Sequence, residues 1–172
     1  MLCRFSAWPT ALALLLLARP AEATVLADWS LDQVAARADL IVIGVVESKR
    51  TLAGEMLMTE SVFRVERTLA GAATDRIVLS QLGGRQGDRV VEIVGDAELA
   101  IGGRFVLFTR VHADGRRYLV GMALGAYALE GERATQRIDA PLIDARGVVT
   151  PAPGVRSLPL EGLIEAIARS RR

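Results

Sequence analysis

The residue types that most often carry nucleophilic and metal chemistry are scarce in this sequence. It contains one histidine, His112, and one cysteine, Cys3. A zinc site needs three or four His, Cys or carboxylate ligands, and nucleophilic catalysis needs a base beside the nucleophile. The Gly-x-Ser-x-Gly motif of hydrolases does not occur in the sequence. We therefore predict no catalytic residue, no metal site and no cofactor. The hairpin signal Asp114-Gly115 predicts that His112 is a solvated residue beside a turn.

Four carboxylates lie close together in the sequence and are candidates for acid–base catalysis: Asp88, Glu92, Asp96 and Glu98. Glu92 and Asp96 have the even spacing that places side chains on one face of a strand, but we expect Gly95 to end that strand. We interpret all four as the solvated edge of a sheet, where charges also discourage aggregation between strands. A small carboxylate-dependent hydrolase is the alternative.

A glycine-rich segment at residues 83–89 reads Gly-Gly-Arg-Gln-Gly-Asp-Arg. Phosphate-binding loops of this kind lead into a helix whose N-terminus faces the anion, whereas residues 90–94 are mostly β-branched and predict a strand. The glycines are therefore predicted to supply positive φ angles at tight turns. Arg85 and Arg89 are candidates for holding an anionic ligand. The candidate ligand or partner loop consists of Gly83, Gly84, Arg85, Gly87, Asp88 and Arg89.

Most of the sequence has the pattern of short β-strands separated by turn residues. The β-branched run at 39–47 predicts a strand that is buried on both faces or belongs to a closed barrel, and Gly44 inside it predicts a bend or bulge. The predicted strands cover residues 39–47, 57–69, 76–82, 89–94, 104–111, 117–122 and 125–129, with a small separate hairpin at 143–149. Four residues should be buried if these strands form one barrel: Phe63, Val65, Phe105 and Leu107.

One helix is predicted at each end of the strand region. Ser30 and Gln33 have the capping-box spacing, which predicts a short helix at 31–38. A second helix is predicted at 159–170, with an apolar stripe at helical spacing: Leu160, Leu163, Ile164 and Ile167. We expect the stripe to cover the protein's own domain, the alternative being a partner. The pattern as a whole predicts a mainly β fold, either a small antiparallel barrel or a strongly bent sheet with helical flanks.

Residues 1–23 have the pattern of a secretory signal peptide. A basic residue, Arg4, precedes an apolar run at 11–18, and small residues follow at Ala21 and Ala23. We predict cleavage after Ala23 and export to the periplasm or the extracellular space, with the membrane used only for export. An uncleaved anchor is the alternative.

The exported part is predicted to be a single domain at 24–172. Of the 21 basic and 20 acidic residues in the sequence, 19 of each lie in this domain. A balanced charge gives no electrostatic reason to bind nucleic acid, which needs clustered Lys and Arg. Because Cys3 lies outside the domain, the domain cannot form an internal disulfide. Its stability must therefore come from its hydrophobic core.

Several segments, taken in their order, resemble a known family. They are residues 38–46, residues 62–69 with Gly71, the pair Gly83-Gly84, the pair Val94-Gly95, residues 102–108 and the pair Val120-Gly121. Roughly residues 31 to 130 are similar to a group of uncharacterised secreted bacterial proteins. That group is similar in turn to netrin-like domains and tissue inhibitors of metalloproteinases. The resemblance implies an OB-like fold, a five-stranded oligonucleotide/oligosaccharide-binding barrel with a short N-terminal helix and a C-terminal helix.

The inhibitors of that family bind the zinc of their protease through an N-terminal cysteine. This sequence has Thr24 at the predicted mature N-terminus, so their mechanism is not implied here. We predict an exported, non-enzymatic binding or interaction module whose partner is an unknown protein or cell-envelope component. The alternative by resemblance is an inhibitor or companion of a secreted metalloprotease that does not use an N-terminal cysteine.

Overall fold

The computed structural model describes residues 24–171, and the predicted signal peptide lies outside the described residues. This part of the chain is mainly β, as predicted. Its two α-helices are α1 (Leu31–Arg37) and α2 (Leu160–Ser170), and a 3-10 turn covers Met122–Gly125. Over the same residues, neither helix has the length and hydropathy needed to cross a membrane. The strands are β1 (Leu26–Ala27), β2 (Leu40–Leu52), β3 (Met58–Ala70), β4 (Arg76–Leu82), β5 (Gly84–Gln86), β6 (Arg89–Val91), β7 (Arg104–Val111), β8 (Arg117–Leu119), β9 (Ala126–Glu130), β10 (Arg133–Ile138), β11 (Leu142–Ile143), β12 (Val149–Thr150) and β13 (Gly154–Pro159).

Five strands are joined in a ring of pairings. Strands β2, β3 and β4 form an antiparallel meander, and β7 returns to pair with β2, which is the Greek-key order. Strand β8 pairs antiparallel with β7 and parallel with β4, where Leu79 lies opposite Arg117. The ring therefore runs β2-β3-β4-β8-β7 and back to β2. The register between β2 and β3 shifts beside Gly44, which confirms the predicted bulge.

The sheet continues outside the ring from β7 through β9 and β10 to β13. Strands β1, β11 and β12 form a separate small sheet, in which the β11–β12 pair is the hairpin predicted near 143–149. The sequence pattern does not indicate β10 or β13. Strand β10 buries the polar Gln136, and β13 runs from Gly154 to Pro159, two residue types that ordinarily interrupt strands.

Strands β2 and β7 separate two apolar clusters, so both of their faces are buried. One cluster fills the ring with side chains from all five ring strands and from Leu99 in the loop before β7. Phe63, Phe105 and Leu107 are buried in it and Val65 packs against it partly buried, which confirms the predicted strand phase. The second cluster lies between the opposite faces of β2 and β7 and the helices.

Both helices pack on that second cluster. The predicted capping box at α1 is present: Gln33 N–H donates to Ser30 Oγ (3.3 Å), and Ser30 N–H donates to Gln33 Oε1 (2.9 Å). The stripe of α2 buries Leu163 and Ile167 completely within the domain, as expected. The alternative, that this stripe is left for a partner, is therefore wrong.

Candidate functional site

Residues 93–97, called the strap below, run from hairpin β5–β6 toward β7 and are held by hydrogen bonds at two points, Gly95 and Ala97. The Gln81 side-chain amide donates to the Ala97 carbonyl (2.8 Å), and Ala123 N–H donates to the Gly95 carbonyl (3.1 Å). Two residues beyond the strap, Leu99 is fully buried in the ring cluster. The strap is thereby held against β4 on one side and the 3-10 turn on the other.

A cleft of 350 Å³ lies between the strap, the end of β4 and the hairpin β7–β8. This volume is at the small end of the range for ligand pockets, roughly 300–1,000 Å³. Its apolar walls come from Leu82, Ile93, Leu119 and Met122. Its polar groups come from Ser80, Gln81, Asp96, His112 and Tyr118. A mainly apolar cleft with a few polar side chains is the usual composition of a small-molecule site.

Asp96 is the acidic residue of this cleft, and it is half-buried. Burial raises the pKa of its carboxyl above the ordinary value of 3.8. The hydrogen bond from Ala97 N–H to Oδ1 (2.8 Å), the neighbouring Gln81 amide and the charge of Lys49 only partly offset that rise. Within residues 24–171, Asp96 forms no ion pair with a Lys or Arg side chain. The carboxylate thus has lost part of its hydration without gaining a cationic partner.

The hairpin β7–β8 brings two rings to the cleft. His112 and Tyr118 pack with their ring centroids 4.9 Å apart. The turn between them is closed by Gly115 N–H donating to the His112 carbonyl (2.9 Å), as the Asp-Gly signal predicts. The Tyr118 hydroxyl donates to Asp114 Oδ2 (2.8 Å), and burial together with this carboxylate raises the pKa of Tyr118. His112 is exposed, as expected, but it also belongs to the wall of the cleft.

Met122, in the same wall, has a left-handed backbone with φ of +57°. A non-glycine residue in that region costs on the order of 1–3 kcal/mol and persists only when its surroundings hold it there. The bond from Ala123 N–H to Gly95 supplies part of that support. Strained residues cluster at functional sites, so the conformation of Met122 adds to the case for the cleft.

A second depression, an open groove of 790 Å³, lies on the other side of the strap along hairpin β5–β6. Of the predicted ligand or partner loop, Gly83, Gly84 and Arg85 line the groove. The remaining members, Gly87, Asp88 and Arg89, lie around the exposed turn of the hairpin. All three glycines have positive φ (+88°, +135° and +58° in chain order), which confirms their predicted role as turn residues.

The two arginines of this loop do not converge. Arg85 pairs with Val90 and Gln86 pairs with Arg89, so Arg85 and Arg89 project from opposite faces of the hairpin. The Arg89 guanidinium donates to the Glu55 carbonyl (3.0 Å) and so ties the hairpin to the neighbouring turn. The hairpin therefore does not direct these two arginines toward one common anion.

The groove is bordered by exposed apolar side chains. Leu82 is 45% exposed, Val90 is 41% exposed and Val94 is 56% exposed. Gly83 anchors the base of the hairpin to β3, since its N–H donates to the Leu57 carbonyl (2.7 Å) and its carbonyl accepts from Thr59 Oγ1 (2.9 Å). Exposed apolar side chains that border one groove, here from β4, the hairpin and the strap, are typical of an interaction surface.

The prediction that the four carboxylates are solvated is confirmed for three of them. Asp88, Glu92 and Glu98 are exposed, but Asp96 is half-buried between the cleft and the groove. The expectation for Asp96 is wrong because the residues after β6 turn inward and pack as the strap instead of continuing a strand. In residues 24–171, no group of three or more His, Cys, Asp or Glu side chains is placed to hold a metal ion.

Sequence reasoning missed Gln81, Tyr118 and Met122 as members of the candidate site. The polar Gln81 at the end of an otherwise alternating strand is the one local signal, because a buried amide needs a partner. Nothing local distinguishes Tyr118 or Met122 from ordinary strand and turn residues.

Comparison with known proteins adds no relative: a scan of protein-family models and a search of curated proteins both return no match to this chain.

Proposed function

We propose that this protein is an exported, non-enzymatic binding module built on an OB-like barrel. The barrel assignment is supported by the ring of five strands with a Greek-key order, since the OB-fold is a five-stranded, partly open Greek-key barrel. The packing of all five ring strands around one apolar cluster, which Leu99 completes, is a second support. Export rests on the pattern of residues 1–23.

The observation that carries the binding function is the exposed apolar border of the groove. Leu82, Val90 and Val94 together leave an apolar surface in water beside an open depression. Removing apolar surface from water is favourable by about 25 cal/mol per Å² before the entropy cost of association is subtracted, and the protein gains that energy only when a partner covers the surface. The partner class that fits is a protein segment with apolar side chains.

The chemistry of the described residues supports binding over catalysis. Covalent catalysis uses a nucleophile joined by a hydrogen bond to a base. In residues 24–171, the Asp96 carboxylate is contacted by the Ala97 N–H and the Gln81 amide, and the Tyr118 hydroxyl donates to Asp114 on an exposed turn. None of these contacts activates a Ser or Thr hydroxyl.

Site-specific crosslinking in cells that produce the full chain tests the proposal. A photo-reactive amino acid replaces Val94 at the groove, and a matched control replaces Val78, which is 48% exposed on β4. We expect a covalent protein adduct from position 94 and none from position 78. The proposal is overturned if position 94 gives no adduct, or if the two positions give the same adducts in equal amounts.

A further inference from the structure

The cleft on the β8 side of the strap is lined by one carboxylate, Asp96, and by no Lys or Arg side chain. Lys49 lines the groove instead, on the opposite side of the strap. In the described part of the chain, no Lys or Arg side chain forms an ion pair with Asp96, whose carboxylate accepts from Ala97 N–H (2.8 Å) and lies beside the Gln81 amide. The cleft therefore carries a net negative charge on a partly dehydrated carboxylate.

The walls around that carboxylate are suited to an apolar body. Leu82, Ile93, Leu119 and Met122 line the cleft, and contact with a hydrocarbon group would remove their apolar surface from water. The rings of His112 and Tyr118 add aromatic surface. Aromatic rings attract ammonium groups through their negative faces.

We infer that this cleft binds a small organic cation in which a primary ammonium group is attached to an apolar or aromatic body. The ammonium group would donate to the Asp96 carboxylate, and the apolar body would lie against the Leu82, Leu119 and Met122 side chains. A half-buried carboxylate without a cationic partner has lost part of its hydration, and an incoming cation offsets that cost. An anion of the same shape would meet repulsion, and a neutral alcohol would supply a hydrogen bond without the opposite charge.

The site is formed before any ligand arrives. Gln81 holds the strap at Ala97 (2.8 Å), Ala123 holds it at Gly95 (3.1 Å), and Asp114 holds the Tyr118 hydroxyl (2.8 Å). A preformed site avoids the entropy cost of ordering its side chains on binding. The cleft and the groove share Gln81, Leu82, Ile93 and Asp96 in their linings. The two proposals are distinguished by their tests, because Val94, the crosslinking position, lines the groove and not the cleft.

Calorimetric titration of the protein at neutral pH with three probes of similar size tests the inference. The probes are 2-phenylethylamine, 2-phenylethanol and 3-phenylpropanoate, which are cationic, neutral and anionic. We expect saturable binding of the amine, with at least tenfold weaker binding of the alcohol and of the carboxylate. Amide chemical-shift changes should be centred on Asp96, Tyr118 and Met122.

Two variants locate the charge that is recognised. Asp96→Asn should weaken amine binding at least tenfold, and Glu98→Gln, an exposed carboxylate outside the cleft, should leave it unchanged. The inference is overturned if the amine does not bind at millimolar concentration, or if the alcohol or the carboxylate binds as tightly. Equal loss in both variants also overturns it. The wild-type comparison of the three probes remains decisive if Asp96→Asn fails to fold.

Discussion

The side-chain amide of Gln81 donates a hydrogen bond of 2.8 Å to the main-chain carbonyl of Ala97. Gln81 is at the end of β4 and only 8% exposed, and Ala97 is at the end of the strap. This contact joins a ring strand to a loop segment 16 residues further along the chain. It holds the strap where Asp96 faces the cleft and where Leu99 enters the ring.

Gln81→Leu tests that contact. Leucine keeps a similar volume but removes the donor, so the Ala97 carbonyl is left without its partner. Leaving a buried polar group unsatisfied costs about 1–3 kcal/mol, and we expect the free energy of unfolding, measured by urea denaturation, to fall by that amount. The matched control is Gln86→Leu on the exposed face of β5, expected to change stability by less than about 0.5 kcal/mol. Equal effects in both variants would show that the strap does not depend on Gln81.

Gly95→Ala tests the fit of the strap against the rest of the domain. Gly95 has φ of +84°, and a Cβ atom there would lie 2.8 Å from Ala140 Cβ. Gly102 has a similar φ of +79° with open space around it. Alanine at either position bears the left-handed strain of about 1–2 kcal/mol, and only Gly95→Ala adds overpacking of about 1–3 kcal/mol. The two variants should therefore differ in unfolding free energy by that second amount, and the same loss in both would contradict the packing.

Leu163→Asp tests the docking of α2. Leu163 is fully buried in the cluster beneath the helices, so the substitution removes apolar contacts and places a carboxylate in an apolar site. We expect a loss of about 3–5 kcal/mol in unfolding free energy. Ala168→Asp makes the same introduction on the exposed side of α2 and should cost less than about 1 kcal/mol, chiefly from the helix dipole. An unchanged melting temperature in Leu163→Asp would mean that the helix does not cover the domain.

Asp96 and Asp39 have pKa values shifted in opposite directions, so they should affect the pH dependence of stability in opposite ways. Burial raises the pKa of Asp96 above 3.8, so the native state holds the proton more tightly than the unfolded chain does. The stability difference between wild type and Asp96→Asn should therefore increase in favour of wild type as pH falls from neutral toward 3.8.

Asp39 should behave in the reverse sense. Burial acts to raise the pKa of Asp39, but the hydrogen bonds from Val111 N–H and from Arg117, with the arginine charges, outweigh it and hold the pKa below 3.8. Its contribution to stability is present above 3.8 and is lost as pH falls below that value. Urea denaturation of the wild type, Asp96→Asn and Asp39→Asn across the acid range measures both effects. Slopes of the same sign for the two aspartates would contradict the environments described.

Local sequence patterns were sufficient to predict the elements that depend on residues close to one another in the chain. The bounds of β4 and β7 match the predicted strands at 76–82 and 104–111, and the capping box starts α1 at Leu31. These features follow from short apolar runs bounded by turn residues and from hydrogen bonds between residues three apart. Strands β10 and β13 escaped prediction because pairing with neighbouring strands, not their own composition, makes them strands.

The candidate site could hardly be predicted from the sequence, because the tertiary structure brings its residues together. The sequence by itself identified the glycine turns at 83–87 and the scarcity of nucleophiles and metal ligands. It did not separate Asp96 from the exposed carboxylates around it, because burial is set by where the strap is fastened. Nor did the sequence indicate that Gln81, Asp96, Tyr118 and Met122 lie together in one cleft. Those residues are distant in the chain and meet only because β8 closes the ring between β4 and β7, bringing the two ends of the sheet to one cleft.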